Sequence, residues 1–212
     1  MIRFIFCMAM STVVLAAFGN AGPQPPQPRA WNFDKDKPGA LPQGFVAAAG
    51  DWKVAEHARA PSPRHALAQW AKNARPVFNV VLADGADLKD VDLSVRMLAL
   101  DGQIDQGGGL VWRARDARNY YIARYNPLEN NFRVYKVVEG QRTQLHSADI
   151  PRSDGWHTIR ITMRGDAIEC FYDGRKYLEA RDTAFPASGK IGLWTKADAQ
   201  TLFDDLTVSP LR

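Results

Sequence analysis

The chain has 212 residues, 46% hydrophobic and 24% charged, with two cysteines. That excludes a disordered polymer and a disulfide-stapled miniprotein, and leaves ample chain for one well-cored domain. The net charge of +4 comes from 27 basic and 23 acidic residues interspersed along the sequence, so the concentrated basic stripe of a nucleic-acid binder is missing and no nucleic-acid partner is expected.

The first element is not part of the fold. Met1-Ile2-Arg3 is a short positive start, Phe4 to Phe18 is apolar, and Gly19-Asn20-Ala21 supplies small residues at a cleavage point. Residues 1–21 therefore read as a secretory signal peptide. The apolar run is shorter than the roughly 20 residues of a membrane span, so no stable membrane insertion is expected after cleavage. The expected location is periplasmic or extracellular. Residues 22–29 (GPQPPQPR) are a Pro-rich tether, because proline fixes φ and removes donors. The folded domain is placed at 30–212.

From Trp31 onward apolar residues recur at period two. Val91, Leu93, Val95 and Met97 alternate with Asp92, Ser94 and Arg96; Ile159, Ile161 and Met163 alternate with Thr158, Arg160 and Thr162; Ile191 and Leu193 alternate with Gly192 and Trp194. Such alternation describes strands with one buried face. His65 to Asn73 is rich in Ala and Leu, yet its length and position fit a strand at a sheet edge. Turn signals recur at Asp84-Gly85, Asp101-Gly102, Glu139-Gly140, Asp154-Gly155, Gly165-Asp166 and Asp173-Gly174, where tight hairpins need positive φ. The fold class is all-β, a two-sheet antiparallel jelly-roll sandwich of about 12–14 strands. Its first strand (Trp31–Asp34) and its last (Phe203–Leu206) are predicted to lie side by side.

Gly107 to Gly140 reads as three successive strands with unusual Arg, Tyr and Asn content. With Leu110 and Trp112 inward, Arg113 faces out. On the next strand Tyr120, Arg124 and Asn126 share a face, assigned outward because an unpaired buried guanidinium is costly. Arg133 shares a face with Asn131 and Tyr135 on the third. These side chains would form one wall, whose forked donors and amides suit sugar hydroxyls or carboxylates. The other reading is a solvated face on which the arginines pair with Asp105, Asp116 and Glu129. Trp194 is thrown outward by Ile191 and Leu193, beside Lys196, as a platform for stacking on a sugar ring. His157 falls on the side of Ile159 and Ile161 as a core-edge histidine, and the other histidines show no zinc spacing. Cys170 reads as a buried, inert thiol. No cofactor is expected beyond a structural calcium, for which Asp34, Asp204 and Asp205 could meet where the terminal strands pair.

GLVWR (109–113), NYYIARYN (119–126), GWHTIRI (155–161), FYDG (171–174) and GKIGLWT with FDDL (189–195 and 203–206) together resemble the concanavalin A-like lectin/glucanase superfamily, and within it the laminin G-like jelly rolls. The pattern is also similar to the domain named for 3-keto-disaccharide hydrolases. The resemblance spans Trp31 to Val208. It implies sugar binding, glycan cleavage or protein contact, since such a fold carries all three. The Glu-x-Asp-x-x-Glu strand of the retaining glucanases is absent, and with it the close carboxylate pair which that mechanism needs.

The function expected from this reading is a secreted carbohydrate-binding β-sandwich, recognising a glycan or oligosaccharide through Arg113, Tyr120, Arg124, Asn126, Arg133, Trp194 and Lys196. One alternative, implied by the second resemblance, is a hydrolase or lyase acting on 3-keto-glycosides. Asp105 or Glu129 would be its base, and Arg113 or Arg124 would stabilise the enolate. Another is an adhesion or scaffold domain that binds protein.

Overall fold

The computed structural model describes residues 27–211. The expected signal segment and residues 22–26 of the tether lie outside them. Arg29, placed in the tether by sequence, already belongs to the first strand.

Among the described residues fifteen strands make two antiparallel sheets and no helix. In chain order they begin β1 (Arg29–Trp31), β2 (Phe45–Ala49), β3 (Trp52–His57), β4 (Arg64–Gln69) and β5 (Phe78–Ala83). Next come β6 (Val91–Asp101), β7 (Gly108–Asp116), β8 (Asn119–Asn126), β9 (Asn131–Val138) and β10 (Gln141–Asp149). The last are β11 (His157–Arg164), β12 (Ala167–Tyr172), β13 (Arg175–Arg181), β14 (Lys190–Lys196) and β15 (Gln200–Pro210). The eight-stranded sheet runs β13-β12-β11-β6-β15-β4-β3, with β1 on β15; the seven-stranded sheet runs β10-β9-β8-β7-β14-β5-β2.

The expected sandwich is therefore present, with a strand more than anticipated. Its ends meet as foreseen: Arg29 pairs with Val208 and Trp31 with Leu206. The first strand stops at Trp31, earlier than expected, because Phe33 turns to φ 61° and drops its ring into the core. The Ala-rich segment is strand β4, so burial against the sheet overrides helix propensity. It is not an edge, since β3 covers it. The loops Glu139-Gly140 and Asp173-Gly174 each have two positive φ values, the signature of type I′ hairpins.

Between the sheets lies a core built from Leu93, Trp112, Tyr121, Tyr125, Phe132 and Phe203, among others. Each large side chain so placed contributes about 1.5–3 kcal/mol. Cys170 is part of it, and burial pushes its thiol pKa up. At Gly109 a Cβ would stand 1.8 Å from the Ala123 carbonyl oxygen. Only glycine lets β7 and β8 approach so closely there.

The far face of the seven-stranded sheet is also apolar over much of its width. Val80, Leu82, Val111, Tyr120, Ile122, Tyr135, Val137 and Trp194 form a second buried cluster, with Phe78 packed against it. That face is curled. Arg142 on the edge strand β10 stands four strands from β14 and five from β5, about 19–24 Å in a flat sheet. Yet its guanidinium carbon is 5.8 Å from the Trp194 ring and 5.6 Å from the Phe78 ring. The sheet must bend into a trough for one side chain to reach both.

Candidate functional site

The trough has an aromatic part and a polar part. In the aromatic part Trp194 donates its indole N–H to the Tyr120 hydroxyl at 3.2 Å, and its ring lies 5.4 Å from that of Phe78. The Arg142 guanidinium covers them, 4.3 Å from the Tyr135 ring centre. Cation–π contacts of this kind are worth about 0.5–2 kcal/mol each. They join the edge strand β10 to β14 and β5 across the sheet.

The polar part begins where Arg124 leaves β8. Its Nη1 donates to Asn131 Oδ1 at 2.5 Å, and its Nη2 donates to Glu129 Oε2 at 2.8 Å and to the Tyr135 hydroxyl at 3.3 Å. Glu129 also accepts from Arg133 Nη1 at 3.2 Å. Burial alone would raise the Glu129 carboxyl, but the hydrogen bond and charge of Arg124, with Asn131 and Arg133, hold it below its ordinary value. Asn126 donates to Asp105 Oδ1 at 2.9 Å, and Lys196 Nζ lies 3.1 Å from Asp105 Oδ2. Asp105 is only 2% exposed. Desolvation pushes its carboxyl pKa up, and Arg124 and Lys196 oppose this incompletely. The Asp105 loop is held by Asp198, whose carboxylate accepts the backbone N–H groups of Gln103, Ile104 and Asp105.

Thus Tyr120, Arg124, Asn126, Arg133, Trp194 and Lys196 emerge on one face, as strand parity predicts. Asp105 and Glu129 join them from neighbouring loops. Three expectations need correction. First, Trp194 is not an exposed platform but 0% exposed, because the curl closes Arg142 and Phe78 over it. Second, Arg113 is not on this wall. A bulge in β7 gives it φ 46° and swings the side chain to the end of the sandwich. There it donates to the carbonyls of Lys89, Phe185 and Gly165 and to Asp90. Third, Asp34 and Asp204, two of the three residues proposed for calcium, are hydrogen-bonded within the protein. Asp204 is buried and accepts the Ser62 N–H and hydroxyl at 2.9 Å, while Asp34 accepts from the Asn32 side chain and the His65 N–H. Among the described residues no group of three or more His, Cys, Asp or Glu side chains is placed to hold a metal ion. His157 is the expected core-edge histidine, stacked on Tyr172 and 2.8 Å from Asp173.

Sequence reasoning missed Arg142, since β10 (QRTQLHSAD) has no apolar alternation from which to read its faces. It also missed Asp198 as the anchor of the Asp105 loop. A signal for the trough did exist. Strands β5, β7 and β8 carry apolar residues at both parities, the mark of a sheet buried on both sides.

No family model matches the chain, and no curated protein matches it. Solved structures do. The chain is similar to carbohydrate binding module CBM66 from Bacillus subtilis, with TM-score 0.66 and 20% identity over 78% of this chain and 96% of the module. It is also similar to the exoplasmic/lumenal domain of VIP36 in its Ca2+/Man3GlcNAc-bound form, with TM-score 0.54 and 11% identity over 76% of this chain and 83% of that domain. A third similarity is to a prokaryotic β-1,3-1,4-glucanase from a mouse hindgut metagenome, with TM-score 0.58 and 11% identity over 87% of this chain and all of that enzyme. The fold is the two-sheet antiparallel β-sandwich that these solved structures share. At such identities the likeness speaks for architecture, and function rests on the trough.

Proposed function

We propose that this protein is a secreted, periplasmic or extracellular carbohydrate-binding module, and that the trough of the seven-stranded sheet is its binding site. The observation that carries the reading is the joining, in one groove, of aromatic rings (Tyr120, Tyr135, Trp194) with a guanidinium and amide network (Arg124, Asn126, Asn131). Sugar sites combine apolar area with a few placed polar groups in this way. Glu129, Arg133 and Lys196 form the more accessible rim. A sugar ring reaches Trp194 only when Arg142 swings aside, so rim contacts form first and stacking follows. Related architecture in a carbohydrate binding module and a glycan-bound lumenal domain supports the reading. A glycan array with the purified protein tests it: binding to a defined glycan class is expected, and a blank array at high protein concentration would sink the proposal.

A second reading is favoured by one specific feature, the buried Asp105 carboxyl with its raised pKa beside Arg124. Asp105 would act as the base that removes a proton beside the carbonyl of a 3-keto-glycoside, and Arg124 or Lys196 would stabilise the enolate. Lys196 and Asn126 already occupy both carboxylate oxygens, which is why binding is preferred over catalysis. Release of 3-keto-glucose from a 3-keto-glucoside, abolished by Asp105→Asn, would reverse that order. The adhesion alternative gains little, since the exposed large apolar residues Leu41, Val46, Leu100, Ile104, Leu128 and Val138 belong to separate loops and strands.

A further inference from the structure

We infer that the sugar recognised in this trough is acidic, with the carboxylate of a hexuronate residue received between Arg124 and Arg142. The inference rests on the carbohydrate-binding reading and names its ligand class.

Charge is the first argument. Four cations meet in the trough: Arg124, Arg133, Arg142 and Lys196. Only two carboxylates answer them. Lys196 takes Asp105, and Arg124 and Arg133 share Glu129. Arg142 forms no ion pair among the described residues; the charged groups that act on it are Arg124, Asp105 and Glu129, and both carboxylates are already engaged. Surplus positive charge at a partly desolvated site is costly unless an anion meets it.

The second argument is hydrogen bonding. Buried polar atoms are nearly always paired, and each exception asks for a reason. Arg124 is almost fully buried, yet its Nε has no partner, and the same holds for Nη1 of Arg142. Both guanidiniums flank the Tyr135 ring, at 5.8 Å for Arg124 and 4.3 Å for Arg142. Two guanidiniums that meet at one aromatic ring, each with one open N–H, match a planar carboxylate carried on a pyranose, whose ring C–H face rests on the aromatic. The far outer face of the other sheet shows what the alternative looks like. There Lys176 sits between Glu169 and Glu179, and Arg160 chelates Asp92, so these two cations are answered within the protein, while Arg96 nearby stands alone with an open Nε rather than beside a second open guanidinium.

The test is a glycan array bearing neutral, sulfated and hexuronate-containing glycans, followed by calorimetric titration of each acidic ligand found and of its methyl ester. Binding confined to hexuronate-containing glycans is expected. Methyl esterification, which keeps the ring and removes the charge, should weaken binding at least about tenfold, and raising NaCl should weaken it progressively. Arg142→Gln should lose about tenfold for acidic ligands, with circular dichroism and melting showing that the variant is folded. Should that variant not fold, Arg142→Lys keeps the charge, loses the fork, and should still weaken binding. Neutral glycans bound as tightly as their acidic counterparts would overturn the acidic assignment and leave the carbohydrate reading standing. Binding to sulfated glycans alone would overturn the carboxylate. A blank array would end both.

Discussion

Arg113 and Arg124 lie on neighbouring strands, β7 and β8, and each is 1% exposed. Their surroundings differ completely. Arg113 spends Nε and both terminal nitrogens on three backbone carbonyls and Asp90, at 2.6 to 3.1 Å. It ties the loops around Lys89, Gly165 and Phe185 to the end of the sandwich. Arg124 is left with an open Nε and a carboxylate it must share with Arg133. Burial alone therefore does not separate a structural guanidinium from a recognising one. The completeness of its hydrogen bonding does.

The sharpest way to break this comparison is Arg113→Ala. It strands several buried acceptors and leaves a void, so a loss of about 3–5 kcal/mol is expected in urea unfolding, with glycan binding unchanged where the variant is folded. Parity of effect on binding with an Arg124 variant would erase the distinction. Arg124→Gln should show the reverse pattern: a loss of about 1–2 kcal/mol in stability, from Glu129 and Asn131 left partly unpaired, and a fall in glycan affinity of at least about tenfold by titration.

Asp198→Ala should cost about 1–2 kcal/mol, since three backbone N–H groups lose their acceptor, and it should loosen the loop that carries Asp105. Burial by itself would raise the Asp198 pKa, but the backbone hydrogen bonds outweigh it and the folded-state value lies below 3.8. The stability it supplies is therefore complete above that value and lost as pH falls through the folded pKa. The gap between wild type and variant should close in acid. Asp105 has the opposite sign. Its pKa is raised, so its contribution is most favourable below 3.8 and declines as pH rises through the folded value. Smallest of all is Lys176→Ala on the outer face of the eight-stranded sheet. Its partners Glu169 and Glu179 are solvated, and no measurable change in melting temperature is expected.

The fold was legible because period-two alternation in segments such as Val91–Met97 and Ile159–Met163 is dictated by a buried face, and the Asp-Gly and Glu-Gly turns mark the hairpins. The same parity placed Tyr120, Arg124, Asn126, Arg133, Trp194 and Lys196 on one side correctly. It failed at Arg113, because one bulge reverses the facing of a side chain and no residue in GLVWRARD announces it. It also failed on the exposure of Trp194. Alternation tells inside from outside only for a flat sheet with one solvated face; curvature is a property of the whole sheet, and the residue that closes over Trp194 lies on a strand 52 positions earlier in the chain, at Arg142.

The antiparallel register of Arg29 with Val208 has a practical consequence. Paired residues of this kind lie about 5 Å apart, so a few glycines could splice one end of the sandwich to the other. Opening the ring instead at the exposed Asp173-Gly174 hairpin would give a circular permutant whose trough is untouched, and whose new termini sit on the opposite sheet, free to carry a reporter.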